Sequence, residues 1–267
     1  MTIKLVALDL DDTLLDPNLR ISENCVRAIQ EVREQGVRIT ISTGRMFPSA
    51  LPYALQLGID VPLITYQGAW VKNSLSKEVL YFRPVPQGPA REVVHFFQNS
   101  GVHCHSYFCD RLVMESLTEE GKFYSRLAGV EATVVDDLIG SLETNAALKI
   151  MAITNDEKKL LYLEQKLKSK YGDKLHITRS KPYFLEVMHP EADKARALEV
   201  IARHYGIDRQ DVMAIGDSYN DLEMIQWAGV GVAMGNAVQP VKDAADFVTT
   251  SNEEEGVAEA LRRFILK

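Results

Sequence analysis

Cysteine is scarce in this sequence: Cys25, Cys104 and Cys109 are the only three in 267 residues. So few scattered thiols do not make the disulfide framework of a small secreted domain, and reduced thiols in a cytoplasmic setting are expected. Long apolar runs are missing too. No stretch approaches the roughly 20 residues that span a bilayer, and the opening MTIKLVALDL lacks a long apolar segment with a small-residue cleavage site. Positive charge is in deficit, the formal net charge being -7. That balance argues against nonspecific binding to nucleic acid or to an anionic membrane, so an anionic ligand would need a local cation. No tract is biased enough to suggest disorder, and no fixed-period repeat suggests a solenoid.

What is present fits a soluble globular protein, with 46% hydrophobic and 25% charged residues in interspersed segments. IKLVALDL reads as a buried strand, SENCVRAIQEVREQG as an amphipathic helix stopped by Gly36, and VRITISTGR as a second strand. The interval from Asp9 to Thr43 holds one strand-helix-strand crossover and no inserted domain, so these strands should lie parallel and end at one edge. SALPYALQLG and PLITY extend the pattern. The rhythm then changes between two proline-bearing crossings, YFRPVPQGP and EVMHPEADK. The segment between them mixes helix-like and strand-like runs, and afterwards the first rhythm resumes with KARALEVIARHYG and DVMAIGD. The expectation is an α/β protein: a Rossmann-like parallel-sheet core over 1–83 and 187–267, with an α+β domain inserted at 84–186.

Chemistry concentrates at the strand ends. Asp9 and Asp11 are two apart where the period of a strand sends both side chains to one side and Leu10 to the other. A lone pair of this kind could equally form an exposed capping turn. A second apolar strand, however, ends in GDSYND and brings Asp217 and Asp221. Gathering Asp9, Asp11, Asp12, Asp217 and Asp221 around one crevice without a cation would raise several pKa values, which argues for a bound metal. Oxygen-only ligands favour hard Mg²⁺ over zinc. STGR offers the Thr43 hydroxyl, the approachable Gly44 backbone and the Arg45 guanidinium, and Lys194 opens the helix after the insert; together these suit a phosphate. Taken singly, Thr43 reads as a strand-end cap and Lys194 as a solvated helix residue.

The set DLDDTLL, STGR, Lys194 and GDSYND, in that order, resembles the four motifs of the haloacid dehalogenase superfamily of phosphatases. The tail from VGVAMGN and the position of the insert are similar to its Cof-like branch, which carries a type IIB cap. The resemblance implies a Mg²⁺-dependent phosphatase acting on small phosphorylated metabolites, such as sugar phosphates, through an aspartyl-phosphate. It implies Asp9 as nucleophile and Asp11 as general acid and base. Mg²⁺ would sit on the Asp9 carboxylate, the Asp11 carbonyl and the Asp217 carboxylate, with Asp221 and Arg45 in support. Phosphate would be held by the Leu10 backbone, Thr43, Gly44, Lys194 and Asn220. Two positions depart from the family pattern: Asp12 stands where it usually has Gly, and Gln67-Gly68-Ala69 where it usually has Asn-Gly-Ala.

The insert is expected to close over the site and select the leaving group. Within it His103, Cys104, His105 and Cys109 lie close together, but strand alternation divides them between faces, which favours a half-buried strand over a metal site. Tyr107, Arg111 and Arg179 could line the cavity, but solvated surface is the expectation for each. Two rival functions share the motifs: a phosphotransferase or mutase using the same aspartyl-phosphate, and, more distantly, a phospho-accepting signalling module. The latter needs no cap.

Overall fold

The computed structural model describes residues 2–266, which divide into two compact units. The first takes the chain up to Arg45, then Ala50–Tyr81 and everything from Asp193; the second takes Met46–Ser49 and Phe82–Ala192.

In the first unit β1 (Leu5–Leu8) leads through α1 (Glu23–Glu34) to β2 (Arg38–Ile41). Ser22 caps α1 by accepting a hydrogen bond from the Cys25 amide at 3.1 Å, and Gly36 at φ 83° turns the chain out of it. Cys25, Ala28, Ile29 and Val32 recur at helical spacing and form its buried face. α2 (Phe47–Gln56), β3 (Pro62–Thr65), β4 (Trp70–Asn73) and β5 (Val79–Phe82) follow, the strands forming a small sheet in the order β3-β4-β5.

The second unit runs through α3 (Gln87–Asn99), β6 (His103–Phe108), β7 (Arg111–Met114), α4 (Glu119–Ala128), β8 (Ala132–Val134) and α5 (Leu138–Ser141). It continues with β9 (Ala147–Ile153), α6 (Glu157–Tyr171), β10 (His176–Lys181) and β11 (Phe184–Met188). Its six strands are ordered β10-β11-β9-β6-β7-β8 and are antiparallel except for the β7-β8 pair. One apolar core joins Val93 and Phe97 of α3 and Leu160 and Leu163 of α6 to Ile150, Leu185 and Val187 of the sheet.

His105, Tyr107, Lys149 and Glu186 are all buried, and rings of His105 and Tyr107 pack on Tyr124. Tyr107 is thus core, not solvated surface as the sequence suggested. Arg179 pairs with Glu164 at 2.9 Å. Lys149 and Glu186 form an ion pair at 3.3 Å with both side chains 3% exposed, so each charge compensates the other where water cannot. Burial, with His103 and Lys149 nearby, pushes the pKa of His105 well down and keeps it neutral.

The chain returns to the first unit with α7 (Lys194–His204), β12 (Val212–Gly216), α8 (Leu222–Trp227), β13 (Val230–Ala233), α9 (Gln239–Ala244), β14 (Phe247–Val248) and α10 (Gly256–Phe264). The main sheet is ordered β14-β13-β12-β1-β2, all parallel. An isolated parallel bridge from Ser42 to Ile64 continues it towards β3. Every residue of β1 is buried, which is why its sequence is a continuous apolar run and not an alternation. Register pairs Leu8 with Ile215 and with Ile41, so the loops after β1, β2 and β12 emerge at one edge. Open parallel sheets bind ligands at that edge. Among the described residues no helix is long and apolar enough to cross a membrane.

Candidate active site

Asp9 leaves β1 directly, and its amide donates to the Ile215 carbonyl at 3.0 Å. The chain then tightens into one wide helical turn, Leu10–Leu14, closed by the Leu15 amide donating to the Leu10 carbonyl at 2.9 Å. This turn corrects the expectation that Asp9 and Asp11 share a strand face. The strand ends at Leu8, so period two no longer applies at Asp11. Asp9 is 5% exposed, whereas the Asp11 side chain is 47% exposed and paired with Arg45. Asp12 sits at φ 58°, ψ 8°, left-handed backbone that glycine adopts freely and aspartate tolerates. Its carbonyl accepts from Asn236 Nδ2 at 2.7 Å.

Asp217 follows β12. The next residues form a 3-10 turn, Tyr219–Asp221, before α8 begins at Leu222, so Asp221 reaches Asp217 through a capping box and not across a helix face. Asp221 Oδ2 accepts from the amides of Asp217 and Ser218, both at 3.1 Å. Lys194, the first residue of α7, is not a solvated helix residue: it is 1% exposed. Its Nζ donates to Asp9 Oδ1 and to Asp221 Oδ1, each at 2.6 Å.

The structure therefore brings Asp9, Asp217, Asp221 and Lys194 together, with one ligand atom from each aspartate lying within 4.8 Å of the others. Three acids surround one ammonium. Burial, opposed by Lys194 and reinforced by Asp221 and Asp217, pushes the Asp9 carboxyl well up. Burial and Asp221 push Asp217 up to about 7, against the stabilising hydrogen bond from Thr13. Lys194 is held above its ordinary value: burial lowers it, but Asp221 and Asp9 more than compensate. Both oxygens of Asp221 are occupied, and Asp217 Oδ1 accepts from Thr13 Oγ1 at 2.8 Å. Asp9 Oδ2 and Asp217 Oδ2 are left without a hydrogen-bond donor among the described residues. Two hard anionic oxygens in a buried, negatively unbalanced site fit a divalent cation.

The phosphate candidates come from three loops. Thr43 is fully buried; its amide donates to the Ile64 carbonyl at 2.9 Å and its Oγ1 accepts from the Arg45 amide at 3.2 Å. Gly44 packs against the Gln67 carboxamide: a Cβ there would lie 2.4 Å from Nε2, so the end of that side chain would have to move. Asn220 Nδ2 donates to Gln67 Oε1 at 2.9 Å. Leu10, fully buried, opens the turn after Asp9. Sequence reasoning missed Thr13, the residue that orients Asp217; the signal was a hydroxyl inside the otherwise apolar TLL.

A parallel sheet whose strand ends gather these acids and one buried lysine is the framework of a hydrolase family. Residues 6–261 match the sequence model of haloacid dehalogenase-like hydrolases, and the chain belongs to that family. It is 33% identical over 266 residues to the 5-amino-6-(5-phospho-D-ribitylamino)uracil phosphatase YcsE of Bacillus subtilis, across 99% of this chain and 96% of that one. A crystal structure of a haloacid dehalogenase-like hydrolase from Bacteroides thetaiotaomicron superposes with a TM-score of 0.90 at 33% identity, over 98% of this chain and 99% of that one. The subclass IIB sugar phosphatase BT4131 superposes with a TM-score of 0.84 at 26% identity, over 98% of each chain. The protein is accordingly a phosphatase of this family, with a parallel-sheet core and a separate, mainly antiparallel cap region.

Proposed function

We propose that this phosphatase is a cytoplasmic, Mg²⁺-dependent enzyme that hydrolyses small phosphorylated metabolites, sugar phosphates or similar monoesters, through an aspartyl-phosphate on Asp9. One observation carries the reading: Lys194 donates to Oδ1 of a buried aspartate at a strand end, which sets a cation beside the carboxylate that is to meet a phosphate. The family relationship supports it. The core, 1–83 and 187–267, would carry the chemistry, and the inserted 84–186 would act as the specificity cap.

Asp9 attacks phosphorus in line, forming its acyl-phosphate as the P–O bond to the leaving group breaks. Asp11, protonated, gives its proton to the leaving oxygen and then takes one from the water that hydrolyses the acyl-phosphate. For that, its pair with Arg45 must open. Lys194, Thr43, the Leu10 and Gly44 backbone and Asn220 hold the phosphoryl oxygens, and Lys194 offsets repulsion between the Asp9 anion and a phosphate dianion. Asp9, Asp217 and the Asp11 carbonyl, with Asp221 in support, would hold Mg²⁺, which would supply charge neutralisation to the phosphoryl group.

The test is a panel of phosphorylated metabolites assayed with purified protein and Mg²⁺, ranked by kcat/KM. The expected result is phosphate release strongest on a small set of sugar-like monoesters and abolished by chelation. Activity surviving exhaustive chelation, or isomer formation without phosphate release, would contradict the reading.

A further inference from the structure

The Tyr66–Gly68 turn ties three parts of the candidate site together. Tyr66, Gln67 and Gly68 have φ of 53°, 57° and 93°, three successive left-handed residues of which only one is glycine. Such backbone is costly for side-chain-bearing residues and persists only where its surroundings hold it. Here the Gln67 amide donates to the Thr43 carbonyl at 3.2 Å. Gly68 lies so close to the start of α7 that a Cβ on it would sit 2.1 Å from the Asp193 carbonyl oxygen and 3.0 Å from the Lys194 nitrogen. Gln67 Oε1 takes the hydrogen bond from Asn220.

The other end of that carboxamide has no such partner. Gln67 is 6% exposed as a residue and its Nε2 lies over Gly44, but Nε2 is not among the enclosed side-chain atoms that lack a partner, so this end of the carboxamide keeps access to the crevice. An amide N–H that opens on the crevice can exchange water for a ligand oxygen, and a charged acceptor makes the stronger bond. Its surroundings name the ligand's chemistry: it lies over Gly44, Asn220 Nδ2 donates to the other end of the carboxamide, and the Lys194 ammonium lies behind the same turn, a set that suits a tetrahedral oxyanion.

We propose that Gln67 is a phosphate-binding residue: Nε2 donates to a phosphoryl oxygen while Oε1 fixes the orientation of Asn220. The inference rests on reading Thr43, Gly44 and Lys194 as the phosphate cradle, and deepens it by adding a neutral donor. A neutral group strengthens anion binding there without altering the balance of charge that holds the three aspartates.

The test is calorimetric titration of the full-length native protein, Gln67→Met and Gln67→Glu with inorganic phosphate in the presence of Mg²⁺, alongside thermal unfolding of each. Loss of one hydrogen bond to an anion corresponds to about a 10- to 100-fold weaker Kd in Gln67→Met. Gln67→Glu keeps the acceptor for Asn220 but replaces the donor by a negative charge, so binding should weaken further although the fold keeps its contact. If both variants bind phosphate as the native protein does, or if only Tm falls, Gln67 is structural and the proposal is overturned. Absence of phosphate binding by the native protein overturns it as well. Binding without hydrolysis of any monoester would instead defeat the proposed activity and leave this inference standing.

Discussion

Arg45 grips Asp11 by both carboxylate oxygens, with Nε donating to Oδ2 at 2.8 Å and Nη2 to Oδ1 at 2.5 Å. The guanidinium also lies 5.4 Å from the Tyr53 ring centre. The arginine side chain is 17% exposed and the aspartate 47%, so the planar fork is anchored while its partner can reach water. A double-mutant cycle of Arg45→Met and Asp11→Asn, followed by urea unfolding, should give a coupling energy of about 0.5–1 kcal/mol, the size expected of a half-exposed pair. Additive losses would mean that the fork contributes nothing in solution.

Replacing Asp9 by Asn removes the anion proposed to attack while keeping its shape. Turnover of any good substrate should fall at least about 10³-fold, with circular dichroism and Tm close to the native values. Substantial residual hydrolysis would remove Asp9 from the nucleophile's role.

Lys194→Met leaves Asp9 and Asp221 buried without their shared cation. Breaking a buried pair costs about 3–5 kcal/mol, and the loss should shrink as pH is lowered, because protonation discharges the orphaned carboxylates. A loss below about 1 kcal/mol at neutral pH would show that the lysine is not holding them.

The metal-free protein should carry a pH signature of its acids. Asp217 is pushed up to about 7 from an ordinary 3.8, and Asp9 is raised too. In that window the folded protein binds more protons than the unfolded chain, so stability falls as pH rises from about 4 to about 7. A divalent cation replaces those protons. The rise in Tm on adding Mg²⁺ should therefore be larger at about pH 7.5 than at about pH 5, and an equal rise at both would argue that the cation binds elsewhere.

Much of this architecture could be read from local signals. Ser22 and Gly36 bracket α1, and the apolar runs before Asp9 and Asp217 mark central strands, because residues buried on both faces leave no polar alternation. What escaped lies where tertiary contact overrides local pattern. β4 and β5 were not anticipated, since Trp70–Asn73 and Val79–Phe82 are short, and neither is a continuous apolar run. α4, with Gly121 and a polar face, carries no strong periodic signal of its own; Thr118 caps it. At the site, the sequence brought the acids to one edge but could not show that Asp11 turns out to Arg45. Nor could it show that Asp221 reaches back through a cap, or that Asp12 and Gln67 occupy left-handed backbone. Those depend on dihedral angles at single positions, to which hydrophobic periodicity is blind.

The central place of β1 has a consequence for how the molecule comes into being. Lys4, at its start, binds Asp211, which lies 207 positions further along, and Leu5 is in register with Val212. During synthesis β1 emerges early yet waits until β12 is made, late in the chain, before its second neighbour exists. Such distant pairing makes for slow folding with a hydrophobic edge exposed meanwhile, so a nascent chain halted before β12 would be inert and in need of a chaperone, however well its second unit had already folded.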